Sequence, residues 1–415
     1  MHPDTAAGSD DGTSAGHGGR GRDAGTAGAP RRVVLSGLGI ITGNATDVDS
    51  FHRTLTDGAS ALGPLRSGPA KDWTYAFGAQ VGESQFAQAR EAVAGSRDAG
   101  LALHAAEQAV VASGLPARAR ADSALVVGCV LYPQRNRIAE VLGSAVGLGP
   151  RRYVVDAACS SGAHALALGF DLVRRGRVSA AVIVSYNTLL YKDVAGLFKL
   201  GILTRDAVRP FDRRRTGTQP GEGAGAVVIE DYEHAVARGA PIVAEIVGVG
   251  LGADASGIVP PHLGGLGLSL AMQRSLRSAG IAPSQVDYIN AHGTGTKLND
   301  PSEAAAIHAA IGPRAREVAV SSTKPIHGHT LGAAGLVEAI VTALAVQHDF
   351  MPPTLNHDEA DPRCELDHVT GRARFAPVRV ALSNSSGFGG LYSCVAFRKA
   401  HTGGARATLA ECAVR

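Results

Sequence analysis

The sequence predicts an α/β fold made of two similar halves, and three observations lead to that prediction. Apolar runs of strand character repeatedly end at corners of small or polar residues, and Ala- and Leu-rich helical stretches follow them. The run at 242–254 opens the second half in the way that 31–42 opens the first. The strand, corner and helix at 153–168 are similarly repeated at 318–340. Strands that alternate with helices in this way favour mixed sheets whose faces are covered by helices.

Composition and charge limit the domain organisation and the function classes. The chain has 415 residues, 45% of them hydrophobic, and its formal net charge is only +3, so no nucleic-acid partner is expected. Residues 1–31 are rich in Gly, Ala, Ser and Asp and are expected to be a disordered leader, and 400–415 are expected to be a flexible tail. Between them a division near residue 240 separates an N-terminal half at 32–240 from a C-terminal half at 241–399.

Targeting signals and cysteine usage bear on the compartment. The first residues lack the apolar segment of a signal peptide, and no apolar run is expected to reach the length of a membrane span. The cysteines are scattered without the paired spacing of a metal site, which fits a reducing cytoplasm. They are Cys129, Cys159, Cys364, Cys394 and Cys412. We therefore expect a cytoplasmic protein with no membrane partner and no metal.

Cys159 stands at one of the predicted corners, between an apolar run that includes Val154 and Val155 and a long helical stretch. Unpaired backbone N–H groups and the positive end of the helix dipole favour a thiolate at such a position. Small neighbours on both sides leave room for a substrate to reach the sulfur. A buried structural cysteine is the alternative interpretation, since free cysteines are among the most buried residues.

Two further corners carry polar residues that could act with such a sulfur. His292 ends an apolar run and precedes a Gly-Thr-Gly-Thr loop, after which Asp300 is predicted to cap a helix with Glu303 three positions on. Lys324 and His329 follow another apolar run. Sites in α/β folds assemble at the carboxyl ends of strands, and imidazoles can serve as donors or bases beside a thiol. A lone histidine at a corner is, however, more often a structural hydrogen-bonding residue.

Five segments of the chain carry a resemblance to a known family. The segments are AACSSG (157–162), RPFDRRRTGTQPGEGAGAVVIED (209–231), NAHGTGTKLND (290–300), SSTKPIHGHTLGAAGLVE (321–338) and ALSNSSGFGG (381–390). Together they resemble the β-ketoacyl-[acyl carrier protein] synthases of the thiolase superfamily, on the elongating branch that uses a Cys-His-His set. The resemblance covers roughly residues 32–398. It implies a thiolase-like fold, in which two duplicated halves form a five-layer α-β-α-β-α sandwich with the active site between them.

The resemblance implies a role for each catalytic residue. Cys159 would accept the acyl chain from a carrier protein as a thioester, and malonyl-carrier protein would then lose carbon dioxide to leave an enolate. His292 and His329 would hold the thioester oxygen on which negative charge develops. Lys324 would lie buried near both histidines with Glu338 as its ion partner, because a buried charge needs a partner. An ordinary surface lysine is the alternative interpretation.

The same resemblance assigns further residues to the substrate. The backbone N–H groups of Cys159 and Phe388 would form a second oxyanion hole, and Phe388 would act as a gate over the thiol. The residues expected to bind the substrate are Thr294, Thr296, Gly389, Leu197 and Phe198. For the two threonines, turn chemistry alone is the alternative.

No cofactor is expected, because the resemblance implies that the substrates carry 4'-phosphopantetheine on an acyl carrier protein. His327 and His329 could suggest zinc, but no further ligands complete such a cluster. The arginine run 213–215, together with Arg205 and Arg209, could contact the acidic carrier protein, although a charge run is usually a solvated face. The other expected partner is a second ketosynthase-like chain, in a homodimer or in a heterodimer with a chain-length factor.

The sequence departs from the family pattern at three places. The segment between GCVLYP (128–133) and Cys159 is shorter, where the family has residues that line the acyl pocket and pack across the dimer. Ser160–Ser161 follow the nucleophile where fatty acid enzymes commonly carry Ala-Thr or Ala-Ser. Leu391–Tyr392 stand where the family usually has Thr-Asn. These differences suggest a synthase of a type II polyketide or specialised fatty acid pathway.

Three functions are weighed on this basis. The first is a ketosynthase that condenses malonyl-acyl carrier protein with an acyl chain held on Cys159. The second is an acyltransferase that passes the Cys-bound acyl group to another nucleophile without decarboxylation, which the shorter segment before Cys159 suggests. The third is a non-catalytic chain-length factor, which usually lacks the nucleophile that is present here.

Overall fold

The computed structural model of the chain describes residues 30–66, 76–90, 96–130 and 135–400. Apart from their inner ends, the predicted leader and tail therefore lie outside the described residues. From Arg31 onward the described residues form one compact unit. Within this unit, the boundary between two halves near residue 240 stays a prediction.

The predicted apolar runs form strands and the stretches after them form helices. The strands are, in chain order, β1 (Val33–Thr42), β2 (Leu62–Pro64), β3 (Phe77–Ala79), β4 (Ala124–Gly128), β5 (Arg152–Val155), β6 (Ala180–Asn187), β7 (Gly223–Asp231), β8 (Ala244–Ala253), β9 (Tyr288–Asn290), β10 (Ala319–Ser321), β11 (Phe350–Met351), β12 (Asp367–His368), β13 (Arg374–Phe375), β14 (Val380–Gly387) and β15 (Leu391–Arg398). The helices are α1 (Val48–Asp57), α2 (Glu83–Arg90), α3 (Arg97–Ser113), α4 (Ala117–Asp122), α5 (Arg135–Ala145), α6 (Ser161–Arg174), α7 (Tyr191–Lys199), α8 (Tyr232–Ala237), α9 (Leu266–Ala279), α10 (Asn299–Ile311), α11 (Lys324–His327) and α12 (Ala334–His348).

The main sheet repeats one strand pattern in the two parts of the chain. Its hydrogen-bonded order is β12-β10-β9-β14-β15-β8-β1-β7-β6-β4-β5. In the first part β5, β4 and β6 run parallel, and β7 and β1 follow in antiparallel pairing. In the second part β10, β9 and β14 run parallel, and β15 and β8 follow in antiparallel pairing. A short antiparallel ladder between Val33–Leu35 and Ala244–Ile246 joins the two parts.

Helices cover and separate the two half-sheets. The helix α3 packs on β1, β6 and β7, whereas α9 packs on β8, β14 and β15 and against α10. The helices α6 and α12 pack against each other and against strands of both half-sheets, which places them in the middle. This arrangement confirms the five-layer α-β-α-β-α sandwich that the sequence resemblance implied.

The central helix α12 is more apolar than expected. The segment Leu331–His348 is long and apolar enough to cross a membrane by composition, so the prediction that no run reaches that length is wrong. However, 89% of this 18-residue window is buried inside the fold. A helix enclosed by two half-sheets and another helix is apolar around its whole circumference, because no face meets water.

Two glycines allow α6 and α12 to approach closely. A Cβ atom on Gly162 would lie 2.7 Å from the backbone nitrogen of Leu336, and one on Gly335 would lie 2.8 Å from Cβ of Ala163. Such contacts are too short for any larger residue. Because Cys159 precedes α6 and His329 precedes α12, this close crossing brings the two corners of the chain together.

Candidate active site

Cys159 lies in the tight turn between β5 and α6, next to Ser160, which occupies the N-cap position of α6 without a side-chain capping hydrogen bond. Ala158 has a φ of 50°, a left-handed conformation that L-residues rarely adopt. The hydroxyl of Ser161 holds this turn, because it accepts from the amide of Ala157 at 2.9 Å and donates to the carbonyl of Ala158 at 2.6 Å. The turn carries Cys159 to the wall of a cavity while leaving it 6% exposed.

Two histidines share that cavity with Cys159. His292 follows β9 and His329 follows α11, and all three residues line a volume of about 390 Å³. The two imidazole rings are 5.3 Å apart between centroids and lie nearly perpendicular, at 84°. The structure therefore brings together a sulfur and two imidazoles that are far apart in the sequence.

Lys324 determines which nitrogen of His292 carries the proton. It is fully buried, so it is not a surface lysine, and its ammonium group pairs with the carboxylate of Glu338 and donates to the backbone carbonyl of His292. The same Nζ lies 3.3 Å from Nδ1 of His292. Since an ammonium group can only donate, Nδ1 of His292 accepts and its Nε2 carries the proton. His292 can therefore offer an N–H donor through Nε2.

Both cavity histidines are uncharged. Burial, followed by the positive charge of Lys324, lowers the pKa of His292 and of His329 well below the ordinary value. A neutral imidazole keeps one N–H group and presents it without a counter-ion. The pair is therefore suited to stabilise a negative charge that develops during a reaction.

Two carboxylates hold the loop that begins at His292. Glu303 accepts hydrogen bonds from the amides of His292 and Gly293, each at 2.8 Å, and Asp300 accepts from the amide of Gly295 at 3.1 Å. The prediction that Asp300 caps α10 is therefore wrong, because its carboxylate serves this loop instead. Burial raises the pKa of Glu303 to about 7, against the opposing effect of the two amides. A sequence signal for this loop-binding role was present, because two acidic residues three positions apart follow a Gly-rich loop, but it was interpreted as a helix cap.

Several residues predicted to bind the substrate lie around the same cavity. Thr294, Thr296 and Phe388 line it, and the two threonine hydroxyl groups are 2.9 Å apart. Leu197 packs with Cys159 in a small buried apolar cluster. These four residues are thus placed next to the sulfur or on the path to it.

Two other predicted residues do not lie on the cavity wall. Phe198 is 39% exposed on α7, and the wall nearby is formed by Leu200 instead. Gly389 has a φ of 81° and donates its amide to the carbonyl of Ile258 at 2.8 Å, whereas its neighbour Gly390 lines the cavity. The local turn geometry, which the sequence motif does not specify, decides which of two adjacent residues faces inward.

Sequence reasoning missed part of the wall. The additional lining residues include Thr216, Thr218, Val259, Pro260, Pro261 and Lys297. The threonines lie within a segment that carried the family resemblance, but no pattern singled out the segment around Pro260. Tyr392, noted only as a departure from the family, also lines the cavity.

His327 does not take part in a metal site. Its Nε2 lies 2.9 Å from the hydroxyl of Thr323 and its Nδ1 lies 2.8 Å from the carbonyl of Gly328, so both ring nitrogens are occupied. Within the described parts of the chain, no group of three His, Cys, Asp or Glu residues could hold a metal ion.

The arginine run forms ion pairs within the chain. Arg213 pairs with Glu359 at 3.1 Å, and Arg214 pairs with Asp358 at 2.7 Å. Arg215 is buried and pairs with Asp361 at 2.7 Å. These contacts favour a structural role for the run over a free basic surface.

The protonation state of Cys159 differs from the one expected from the sequence. Burial raises its pKa to about 12, although Lys324 acts in the opposite direction. The helix terminus was expected to favour a thiolate, but loss of solvation disfavours the charged form more strongly. At neutral pH the buried environment therefore favours the thiol form of Cys159.

This raised pKa predicts how Cys159 reacts with iodoacetamide. Because only the thiolate reacts, the alkylation rate should increase roughly tenfold per pH unit from about pH 7 to about pH 10, without a plateau. Mass spectrometry of the peptide that contains Cys159 measures the rate separately from the other cysteines. A plateau near neutral pH would contradict the burial effect and restore the thiolate expectation.

Comparisons with known proteins agree with this geometry. Residues 99–235 match the family described as Beta-ketoacyl synthase, N-terminal domain, and residues 243–358 match Beta-ketoacyl synthase, C-terminal domain. Nodulation protein E of Rhizobium sp. (strain N33) is 36% identical over 401 residues, which covers 89% of this chain and 99% of that protein. The 3-oxoacyl-[acyl-carrier-protein] synthase 2 of Synechocystis is 35% identical over 409 residues, or 89% of this chain and 98% of that protein.

Solved structures are similar over nearly the whole fold. The ishigamide ketosynthase/chain length factor superposes with a TM-score of 0.83 and 32% identity, covering 90% of this chain and 100% of that chain. A type II PKS acyl-carrier protein in complex with its ketosynthase bound to the hexaketide gives a TM-score of 0.82 and 25% identity, with the same coverage. Because both halves match one family and a relative of similar length is 36% identical, the chain belongs to the β-ketoacyl synthase family.

Proposed function

We propose that this chain is a ketosynthase that condenses malonyl-acyl carrier protein with an acyl chain held on Cys159 and releases carbon dioxide. The observation that carries the proposal is the single cavity that Cys159, His292 and His329 line together. The relatives named 3-oxoacyl-[acyl-carrier-protein] synthase 2 support the same reaction. Its departures from the family pattern fit a type II polyketide or specialised fatty acid pathway.

The first step transfers the acyl group to the enzyme. The sulfur of Cys159 attacks the thioester of the acyl carrier protein, and the bond between the acyl carbon and the pantetheine sulfur breaks. The proton of the Cys159 thiol ends on the departing pantetheine thiol, so the overall exchange needs no net proton. The amides of Cys159 and Phe388 are the proposed donors to the oxygen of this intermediate, because both residues border the cavity.

The second step is loss of carbon dioxide from the malonyl group. The bond to the carboxylate breaks, and its electron pair moves into the enolate of the thioester. His292 and His329 donate to the enolate oxygen, each contributing about 2.7–4 kcal/mol if they act like other oxyanion donors. Lys324 supports this step by keeping the proton of His292 on Nε2. The enolate carbon then attacks the acyl carbon on Cys159, and the bond between that carbon and the sulfur breaks. The released sulfur takes one proton from water, so that decarboxylation and condensation together consume one proton.

The proposed route for the substrate follows the polar side of the cavity. Thr294 and Thr296 are suited to hydrogen-bond the amide groups of a 4'-phosphopantetheine arm, because both line the cavity beside His292. An acyl carrier protein is the proposed partner, as in the complex named for the neighbouring ketosynthase structure. No resident cofactor is proposed, and the chain is proposed to act in the cytoplasm.

A second ketosynthase-like chain is the proposed partner at the sheet end. The strand β5 is the edge strand at one end of the main sheet, opposite β12, and Tyr153 within it is 37% exposed. An antiparallel copy centred on Val154 would place Arg152 of one chain opposite Asp156 of the other. This self-complementary charge pattern supports a homodimer, and a heterodimer with a chain-length factor is the alternative, as in the ishigamide structure.

The other two functions are not favoured. Acyl transfer without decarboxylation would not need two neutral histidine donors in the cavity that Cys159 lines, and two of the relatives are named as 3-oxoacyl synthases. A non-catalytic chain-length factor would not need the strained turn that presents Cys159.

Replacing His292 by alanine tests the proposed function. Carbon dioxide release from malonyl-acyl carrier protein should decrease by about 10²–10³-fold, because one donor to the enolate oxygen is lost. The wild-type enzyme and His308→Ala, which removes a histidine of α10 outside the cavity, serve as controls and should release carbon dioxide at similar rates. If the wild-type enzyme releases none, the acyltransferase alternative replaces the ketosynthase proposal.

A further inference from the structure

Tyr392 occupies a fixed position in the cavity wall. Its side chain is almost fully buried, at 4% exposure, and it lines the cavity. The edge of its ring lies directly over Gly267, where an added Cβ would be 2.3 Å from Cε2 of the tyrosine. Only glycine at the start of α9 leaves room for this ring. The ring is therefore confined between α9 and the cavity.

The hydroxyl group of Tyr392 is held by Asp254. It donates to Oδ2 of Asp254 at 2.7 Å. The same carboxylate accepts from the backbone amides of Ser256 at 3.0 Å and His262 at 3.1 Å. Burial raises the pKa of Asp254, but the hydrogen bonds from Ser256 and Tyr392 outweigh this effect. The pKa is therefore lower than its ordinary value, and the carboxylate stays ionised. Asp254 thus connects Tyr392 to both ends of one loop segment.

The segment 254–262 forms a wall of the cavity. Three of its residues, Val259, Pro260 and Pro261, line the cavity directly. The segment also contacts the hairpin that carries Phe388, because Gly389 donates its amide to Ile258 at 2.8 Å. A substrate that reaches Cys159 therefore passes between surfaces that depend on the position of this segment.

We propose that Tyr392 is a positioning residue for substrate entry: through Asp254 it fixes segment 254–262 as one wall of the cavity. This inference rests on the proposed function, because the entering group is the arm of a carrier-bound substrate. Tyr392 acts through Asp254 and not on the reacting atoms. Loss of its hydroxyl group should weaken productive binding of the substrate more than the chemical steps.

The first test is kinetic and uses Tyr392→Phe, which keeps the buried ring. The KM for malonyl-acyl carrier protein should increase by about three- to tenfold, in the range expected for loss of one hydrogen bond, while kcat changes less than about twofold. Tyr232→Phe, which removes a hydroxyl group outside the cavity lining, should leave both constants unchanged. A decrease in kcat with unchanged KM would overturn the positioning role.

The second test asks whether Tyr392 and Asp254 act as one unit. In a double-mutant cycle, Tyr392→Phe should have no further effect on KM once Asp254→Ala is present, because the shared contact is already lost. Additive effects would show that the two residues act independently and would contradict the proposal.

The third test does not depend on turnover. Amide hydrogen exchange in segment 254–262 should be several-fold faster in Tyr392→Phe than in the wild-type protein, while exchange in α12 stays the same. Unchanged exchange in the segment would overturn the inference. If the enzyme releases no carbon dioxide but exchange increases as expected, the proposed function fails while the structural role of Tyr392 stands.

Discussion

Replacing Cys159 by alanine is expected to abolish the acyl-enzyme and the condensed product, while carbon dioxide is still released from malonyl-acyl carrier protein. Condensation should decrease by about 10⁴-fold or more, because the carbon that the enolate attacks is no longer held on the enzyme. Decarboxylation needs only donors to the enolate oxygen, and His292 and His329 are unchanged. Intact-protein mass measurement detects the acyl adduct, and a carbon dioxide assay follows the other step.

The buried cysteine Cys394 provides the matched control for this prediction. It lies in β15 and outside the cavity lining, so Cys394→Ala should retain both the acyl adduct and the condensed product. An acyl adduct that persists in Cys159→Ala would identify another nucleophile. Loss of carbon dioxide release in Cys159→Ala would show that the sulfur takes part in decarboxylation. That result would contradict the proposal that Cys159 holds the acyl chain while the two histidines support decarboxylation.

Among the substitutions considered, Lys324→Met is expected to cause the largest decrease in the free energy of unfolding. The substitution leaves the carboxylate of Glu338 fully buried without its ion partner, and one oxygen of that carboxylate already has no hydrogen-bond partner. Breaking a buried ion pair in this way typically costs about 3–5 kcal/mol. Urea unfolding measures the change in the free energy of unfolding. Carbon dioxide release should also be lost, because Nδ1 of His292 loses its donor.

The double variant Lys324→Met with Glu338→Leu separates stability from chemistry. Two apolar side chains of similar size remove both buried charges, so most of the lost stability should return. Carbon dioxide release should remain lost, since the donor to His292 is still absent. Arg213→Ala breaks an exposed ion pair and should change the free energy of unfolding by less than about 1 kcal/mol. If the double variant regained activity together with stability, Lys324 would have only a structural role.

Local sequence patterns were enough to predict several strands and the repeated strand-corner-helix units of the fold. The runs at 31–42 and 242–254 became β1 and β8, and the strand-corner-helix units before Ser161 and Lys324 lie at equivalent places in the two half-sheets. These features depend on short-range preferences and on alternation of strands and helices, which a sequence displays directly. The composition of α12 was harder to interpret, because an apolar helix can belong to a membrane or to a protein core.

Site residues were predicted where a motif identifies them. The direction in which a side chain points and the groups that it contacts could not be predicted in this way. Gly389 lies between Phe388 and Gly390, which are on the cavity wall, and Phe198 is two positions from Leu200, so a motif cannot tell which nearby residue turns inward. Asp300 and Glu303 have the spacing of helix-capping residues, yet their carboxylates bind amides of the preceding loop. Backbone donors several residues away compete for the same carboxylate, and only the folded loop decides between them.

Residue patterns predicted the alternating strands and helices and the corners that carry Cys159, His292 and His329, because each depends on residue types at fixed positions along the chain. The five-layer fold and the roles of the Cys-His-His set came from the resemblance of five segments to a known family. Tertiary structure alone decided the protonation of the set. The thiol of Cys159 stays protonated and His292 stays neutral because surrounding atoms from distant segments exclude water from both. The position of the proton on His292 also depends on tertiary structure. Lys324 is 32 positions away in the sequence, and its contact with His292 exists only once the chain has folded. Solvation and direction are properties of the packed chain, and no local pattern contains them.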